Sequence, residues 1–126
     1  MPASASLIPV NAVVANVSSG NVAAAVATAT IPATAGRLNY ITGFSVSGSG
    51  ATTGLPVQIT VTGLIGSTLT YIYTAATGVL ASNLALIVDF PTPLPASALN
   101  TAIVVSCPSL GSGNTNNSVN VHGYTE

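Results

Sequence analysis

Charged residues are almost absent from this sequence. They make up 2% of the chain, against about 25% in an average soluble protein. The whole charged set is Arg37, Asp89 and Glu126, lysine does not occur, and His122 is the only histidine. One arginine cannot neutralise the several phosphates that a nucleic-acid site contacts, nor can it hold an anionic lipid surface. The composition therefore predicts that neither nucleic acid nor a membrane is the partner.

Cysteine and targeting signals are also scarce. The single cysteine, Cys107, excludes an internal disulfide. The first residues lack the basic segment of a secretory signal, and Pro9 interrupts the first apolar run. The alanine-rich stretch at residues 22–31 is too short to span a bilayer, which takes about 20 apolar residues. We therefore expect synthesis in a reducing cytoplasm.

Aliphatic residues supply most of what is present. Hydrophobic residues make up 48% of the 126 positions, whereas aromatic residues reach only 5%. This is the reverse of a disordered chain, which combines low hydrophobicity with high net charge. The length suits one domain. A net charge of -1 gives little repulsion between copies, so we expect a homo-oligomer.

Apolar and hydroxyl residues alternate with a period of two along much of the chain, which predicts β-strands with one packed face. Two further runs are apolar on both faces, which suits covered strands. The predicted strands are residues 22–31, 40–46, 57–61, 69–74, 84–90, 102–107 and 118–124. Clusters of glycine, proline, serine and asparagine separate them as turns.

Seven or eight short strands with such turns predict an all-β, single-domain β-sandwich of jelly-roll-like form. We place this domain at residues 22–126. Residues 1–21 have no clear pairing pattern, so they are predicted to form either an N-terminal arm that grips a neighbour or the first strand.

The segment at residues 90–95 carries three prolines, Pro91, Pro93 and Pro95, which cannot donate to a sheet ladder. A stiff, extended arch is expected there. It is interpreted as a crossover between the two sheets, with a contact loop as the alternative.

The residues that could support catalysis are few. Cys107 as nucleophile, His122 as base and Asp89 as its orienting carboxylate have the chemistry of a triad. However, Cys107 ends an apolar run as a small buried residue would, and His122 lies at a polar-facing position. No nucleophile motif surrounds them. We therefore predict that the protein is not an enzyme and has no catalytic residues.

Metal and cofactor sites are not predicted either, because no spacing of His, Cys, Asp and Glu matches a known ligand pattern. Asn114, Asn116 and Asn117 could offer oxygens to calcium, but carboxylates are lacking, and the segment is interpreted as a hairpin tip. Arg37 needs a partner. Pairing within the chain, for which only Asp89 and Glu126 are available, and contact with another subunit remain equal alternatives.

Surfaces of threonine, serine, asparagine and alanine lose little side-chain entropy when they are covered, which suits a subunit of an assembly. Four segments carry a family resemblance, and they are residues 33–44 (ATAGRLNYITGF), 57–64 (VQITVTGL), 90–97 (FPTPLPAS) and 118–124 (SVNVHGY). In style and order they resemble small β-sandwich virion proteins of tailed bacteriophages, over roughly residues 30–124.

This resemblance implies a capsid decoration, or cement, subunit on the exterior of the virion. Such subunits often form trimers at local three-fold positions and reinforce contacts between major capsid proteins. The alternative that the resemblance leaves open is a phage fibre, tail or host-binding module. The resemblance carries over no functional residues.

Overall fold

The computed structural model describes residues 8–78 and 85–126, and within these ranges all regular structure is β-strand. No helix in these ranges is long and apolar enough to cross a bilayer. The strands are β1 (Val13–Ser18), β2 (Ala27–Ile31), β3 (Asn39–Ser49), β4 (Val57–Thr62), β5 (Leu69–Tyr73), β6 (Leu86–Pro95), β7 (Ile103–Cys107) and β8 (Asn116–Thr125).

The strands form two four-stranded sheets. Sheet I has the order β1-β8-β3-β6, and sheet II has the order β2-β7-β4-β5. Every pairing is antiparallel, and β1 pairs with β8, β2 with β7, β3 with β6, and β4 with β5. This is the topology of one long hairpin rolled into two layers. The chain is therefore a jelly-roll β-sandwich, as the sequence predicts.

The core lies between the two inner faces, because alternate residues of each strand point inward. Phe44 of β3 contacts the rings of Tyr71 in β5 and Phe90 in β6, with ring centroids 5.3 and 6.2 Å apart. This aromatic group closes one side of the sandwich. Aliphatic side chains fill the rest, each stabilising the fold by about 1.5–3 kcal/mol when fully buried. They include Ile31, Ile41, Val46, Ile59, Val61, Ile103, Val105, Val119 and Val121.

The strand predicted at residues 22–31 is shorter than expected, since β2 covers only Ala27–Ile31. The amides of Val22 and Ala24 instead donate to the carbonyls of Asn117 and Asn114, and Ala24 has a positive φ of 52°. These bonds attach residues 22–24 to the beginning of β8 and to the segment just before it. The alternating pattern of residues 22–26 therefore does not correspond to a strand in the structure.

The first strand, β1, lies within the segment for which an arm and a strand were alternatives. It pairs with β8 over its full length, from Val13 opposite Thr125 to Ser18 opposite Asn120. The sandwich therefore includes residues ahead of the boundary predicted at residue 22. Leu84, the start of another predicted strand, lies outside the described residues.

The proline-rich segment is not a crossover between the sheets, so that prediction is wrong. It belongs to β6, which pairs with β3 on both sides of it: Asp89 stands opposite Gly43, and Leu94 stands opposite Ile41. Between these two pairs, the four residues 90–93 of β6 stand opposite a single residue of β3, Thr42, and therefore form a bulge. Prolines are tolerated there because β6 is at the edge of sheet I, where one row of amides has no strand to bond.

Candidate interaction surfaces

The three residues of the considered triad do not meet. Cys107 ends β7 with a side chain that is 0% exposed in the core, and burial raises the pKa of its thiol to about 11, with a hydrogen bond from Asn117 opposing the shift. A thiol with a raised pKa supplies little thiolate, which is the nucleophilic form. His122 lies on the exposed face of β8 instead. Cys107 therefore points into the core from sheet II, whereas His122 points away from the core on sheet I.

Asp89 and His122 do share the outer face of sheet I, because both stand opposite Gly43 of β3. They are two strand spacings apart, about 9–10 Å. The imidazole of His122 is paired with Asn16, whose Oδ1 lies 3.0 Å from Nδ1. Asp89 therefore does not orient the imidazole.

Arg37 is exposed in the turn before β3 and lines a cleft of about 430 Å³ between β1 and the end of β2. Asp89 lines a different cleft, on β6. Within residues 8–78 and 85–126 neither residue forms an ion pair. The in-chain pairing of Arg37 with Asp89 is therefore not formed, and the role of Arg37 at an interface stays a prediction.

Buried asparagine side chains connect the irregular segments by hydrogen bonds. The sequence analysis did not predict this role. Asn39 Nδ2 donates to the carbonyls of Pro32 and Thr101, both at 2.9 Å. Asn114 Nδ2 donates to the carbonyl of Ser49 at 2.9 Å, and Asn117 Nδ2 to that of Pro108 at 3.1 Å. Their burial could have been predicted from the period of two, because Asn39 and Asn117 each lie two positions before a core residue of the same strand.

This geometry corrects the interpretation of residues 114–117 as a hairpin tip. Asn114 and Asn117 are buried, and Asn116 begins β8. The side-chain nitrogens of Asn114 and Asn117 donate to backbone carbonyl oxygens, and that of Asn116 donates to the hydroxyls of Ser49 and Thr115. Donor groups, and not the oxygen ligands that calcium prefers, therefore face these oxygens. Among the described residues, no three His, Cys, Asp or Glu side chains lie close enough to hold a metal ion.

The outer face of sheet II carries hydroxyl, amide and aliphatic side chains and no charge. Thr28, Ser106, Thr60 and Thr70 stand opposite one another in a row across all four strands. We call this surface the hydroxyl face. Its residues are Thr28, Thr30, Gln58, Thr60, Thr62, Thr70, Ile72, Val104 and Ser106.

A cleft of about 370 Å³ lies on the other sheet, where the β6 bulge leaves β3. Its lining residues are Thr42, Asp89, Phe90, Pro91 and Pro93. Gly43 lets Asp89 approach β3 closely, since a Cβ at Gly43 would lie 2.7 Å from the Val88 carbonyl oxygen and 3.0 Å from Asp89 Oδ1. We call this site the bulge cleft.

Comparison with family models, curated proteins and solved structures found no match. The strand order therefore defines the class of this protein, a jelly-roll β-sandwich. The outer face of its sheet II carries no charged side chain.

Proposed function

We propose that this chain is a structural subunit whose activity is to bind other protein subunits, and that it decorates the exterior of a phage capsid. In this proposal it is made in the host bacterial cytoplasm and joins the virion as a homo-oligomer, with a trimer favoured. It contacts the major capsid protein and reinforces contacts between capsid subunits. The observation that carries the proposal is the hydroxyl face.

The hydroxyl face suits burial against another protein for two reasons. Threonine, serine and valine lose little rotamer freedom when a neighbour covers them, whereas lysine and glutamate lose much. The face also has no charge that would need a partner after losing its water. An exposed aliphatic side chain, Ile72 at 64% exposure, adds apolar area to it.

The sheet edges support the same proposal. Monomeric β-proteins protect edge strands with charged residues or proline, because exposed ladder groups pair readily with other chains. Of the four edge strands, β1, β2 and β5 contain neither. Only β6 is protected, by its prolines and its aspartate. Subunit contacts that cover the other edges would remove this liability.

Binding to capsids tests the proposal. Purified chain should bind expanded, emptied phage heads at a fixed ratio to the major capsid protein and raise their melting temperature, because a ligand selective for the assembled state stabilises it. Thr60→Lys, at the centre of the hydroxyl face, should reduce occupancy by about tenfold or more, since it buries an unpaired charge.

Ser112→Lys is the matched control. Ser112 is exposed in the loop between β7 and β8, so the same added charge should leave capsid binding unchanged. Binding of the wild-type chain to host cells in place of capsids would overturn the proposal in favour of the fibre, tail or host-binding alternative. Sedimentation at dilute concentration tests the oligomer, and a monomer there would overturn the trimer.

A further inference from the structure

The bulge cleft combines an unpaired carboxylate with apolar walls. Asp89 is exposed, and no residue within 8–78 or 85–126 forms an ion pair or a hydrogen bond with its carboxylate. Phe90 and two prolines form the walls beside it, and Thr42 lines the side toward β3. A carboxylate next to apolar surface attracts a group that has both a positive charge and an apolar stem.

The walls are fixed before any ligand arrives. The Phe90 ring packs against Phe44 in the core, with ring centroids 6.2 Å apart. Pro91 and Pro93 each have a locked φ, which stiffens the bulge. Leu94 and Asp89 anchor the two ends of the bulge to β3. A preformed site of this kind loses little conformational entropy on binding.

We propose that the bulge cleft binds a single lysine or arginine side chain supplied by a partner protein. The aliphatic stem lies along Phe90 and the prolines, as long basic side chains do on apolar surfaces. The charged head donates hydrogen bonds to the Asp89 carboxylate and stands near the aromatic ring.

Charge complementarity favours this occupant over a sugar. Besides Asp89 the only charged side chains are those of Arg37 and Glu126. Arg37 lines the other cleft, so a basic side chain in the bulge cleft would come from another molecule. A neutral sugar needs several placed polar groups to hold its hydroxyls. Among the lining residues only Asp89 and Thr42 have polar side chains.

The claim that a partner protein supplies the basic side chain rests on the proposed function. The claim that the cleft selects a cation does not depend on it. The two parts therefore need separate measurements. For the first, backbone amide shifts of the isotope-labelled full chain are followed by NMR during titration with N-acetyl-arginine amide or N-acetyl-lysine amide. N-acetyl-glutamine amide and methyl glucoside serve as uncharged probes.

Both cationic probes should shift the amides of Thr42, Asp89 and Phe90, and the uncharged probes should not. Asp89→Asn keeps the shape of the side chain and removes its charge, so it should abolish the selectivity. Glu126→Gln removes the other carboxylate side chain and should change nothing. Equal shifts with uncharged probes, or no shifts with cationic ones, would overturn the cation site.

Capsid binding tests the second part. Asp89→Asn should weaken binding to emptied heads by about twofold to fivefold at low salt, the upper part of the range for an exposed charge pair, and the difference should shrink in high salt. Glu126→Gln should bind as the wild type does. Unchanged affinity of Asp89→Asn would overturn the partner's role in this cleft. If wild-type chain bound no capsids, the proposed function would fail, while selective NMR shifts would still support the cation site.

Discussion

The hydroxyl of Thr125 in β8 donates a hydrogen bond of 2.6 Å to Oδ1 of buried Asn39, the first residue of β3. The amide group of Asn39 simultaneously donates to the carbonyls of Pro32, just after β2, and Thr101, just before β7. One side chain thus joins both sheets at one end of the sandwich. These carbonyls lie outside the strand ladders, so Asn39 supplies donors that secondary structure does not.

Replacing Asn39 by alanine should therefore be strongly destabilising. Asn39→Ala leaves buried carbonyl oxygens and the Thr125 hydroxyl without partners, and each unsatisfied group is unfavourable by about 1–3 kcal/mol. We expect the free energy of unfolding to fall by about 2–4 kcal/mol, measured by urea denaturation.

Asn120→Ala is the control for that variant. Asn120 lies in β8 between the core residues Val119 and Val121, and its position is half-buried on the outer face. Its replacement should change the free energy of unfolding by less than about 1 kcal/mol. Equal losses for the two variants would contradict the role given to Asn39.

Gly123 is a second position where substitution should be strongly destabilising, because its surroundings leave no room for a Cβ. A Cβ there would clash with the carbonyl oxygen of Tyr40 and would lie 2.9 Å from Cδ1 of Ile31. The Tyr40 oxygen belongs to the backbone of a central strand and cannot move aside cheaply. Gly123→Ala should therefore lower the free energy of unfolding by about 3 kcal/mol or lead to an unfolded product.

Gly54→Ala provides the comparison. A Cβ at Gly54 would meet only methyl groups of Thr74 and Thr77 at 3.6 Å, an ordinary contact distance. Circular dichroism melting curves of the two variants should therefore differ widely, with Gly54→Ala close to the wild type. A Gly123→Ala variant that melts with the wild type would show that β3 and β8 are further apart than described.

The strands were predictable where a single packed face imposes its period on the sequence. In β4, Val57, Ile59 and Val61 are buried while the residues between them are not, and the predicted strand at 57–61 nearly matches Val57–Thr62. The strand order was not predictable, because β1 pairs with β8 about 100 residues away, and local pattern contains no information on distant pairing.

The bulge cleft could not be predicted from the sequence either, because it too depends on the pairing of distant strands. Prolines indicate that residues 90–95 leave the regular ladder, but not that β6 is an edge strand. The cleft also requires Gly43 of β3 to stand opposite Asp89, and only the register of the two strands determines that. The predicted placement of Cys107 as a buried residue and of His122 at a polar-facing position is confirmed.

The stability of this chain should depend little on salt. Added salt weakens exposed ion pairs, and the described residues contain none. Raising sodium chloride from about 0.05 M to about 0.5 M should shift the melting temperature by less than about 3 °C, which calorimetry can measure. A fall of more than about 5 °C would indicate electrostatic stabilisation that the described contacts do not provide.

The thiol of Cys107 should make the stability depend on alkaline pH. Burial raises its pKa from 9.0 to about 11 in the folded chain. Below pH 9 both states are protonated, so the thiol has no effect. Between pH 9 and 11 the unfolded chain loses the proton and the folded chain keeps it, so the free energy of unfolding falls by up to about 2–3 kcal/mol as pH rises. Burial raises the pKa of Tyr73 and Tyr124 too, which adds a fall in the same direction at higher pH.

Cys107→Val isolates the contribution of the thiol, because valine fills a similar volume and does not titrate, while both tyrosines remain. Urea denaturation of both proteins at about pH 8 and about pH 10.5 gives the comparison. The wild type should lose more free energy of unfolding than the variant between these two values, by about 1–2 kcal/mol. Equal losses would mean that the thiol ionises alike in the folded and unfolded chains, and hence that Cys107 is not held in the dry core.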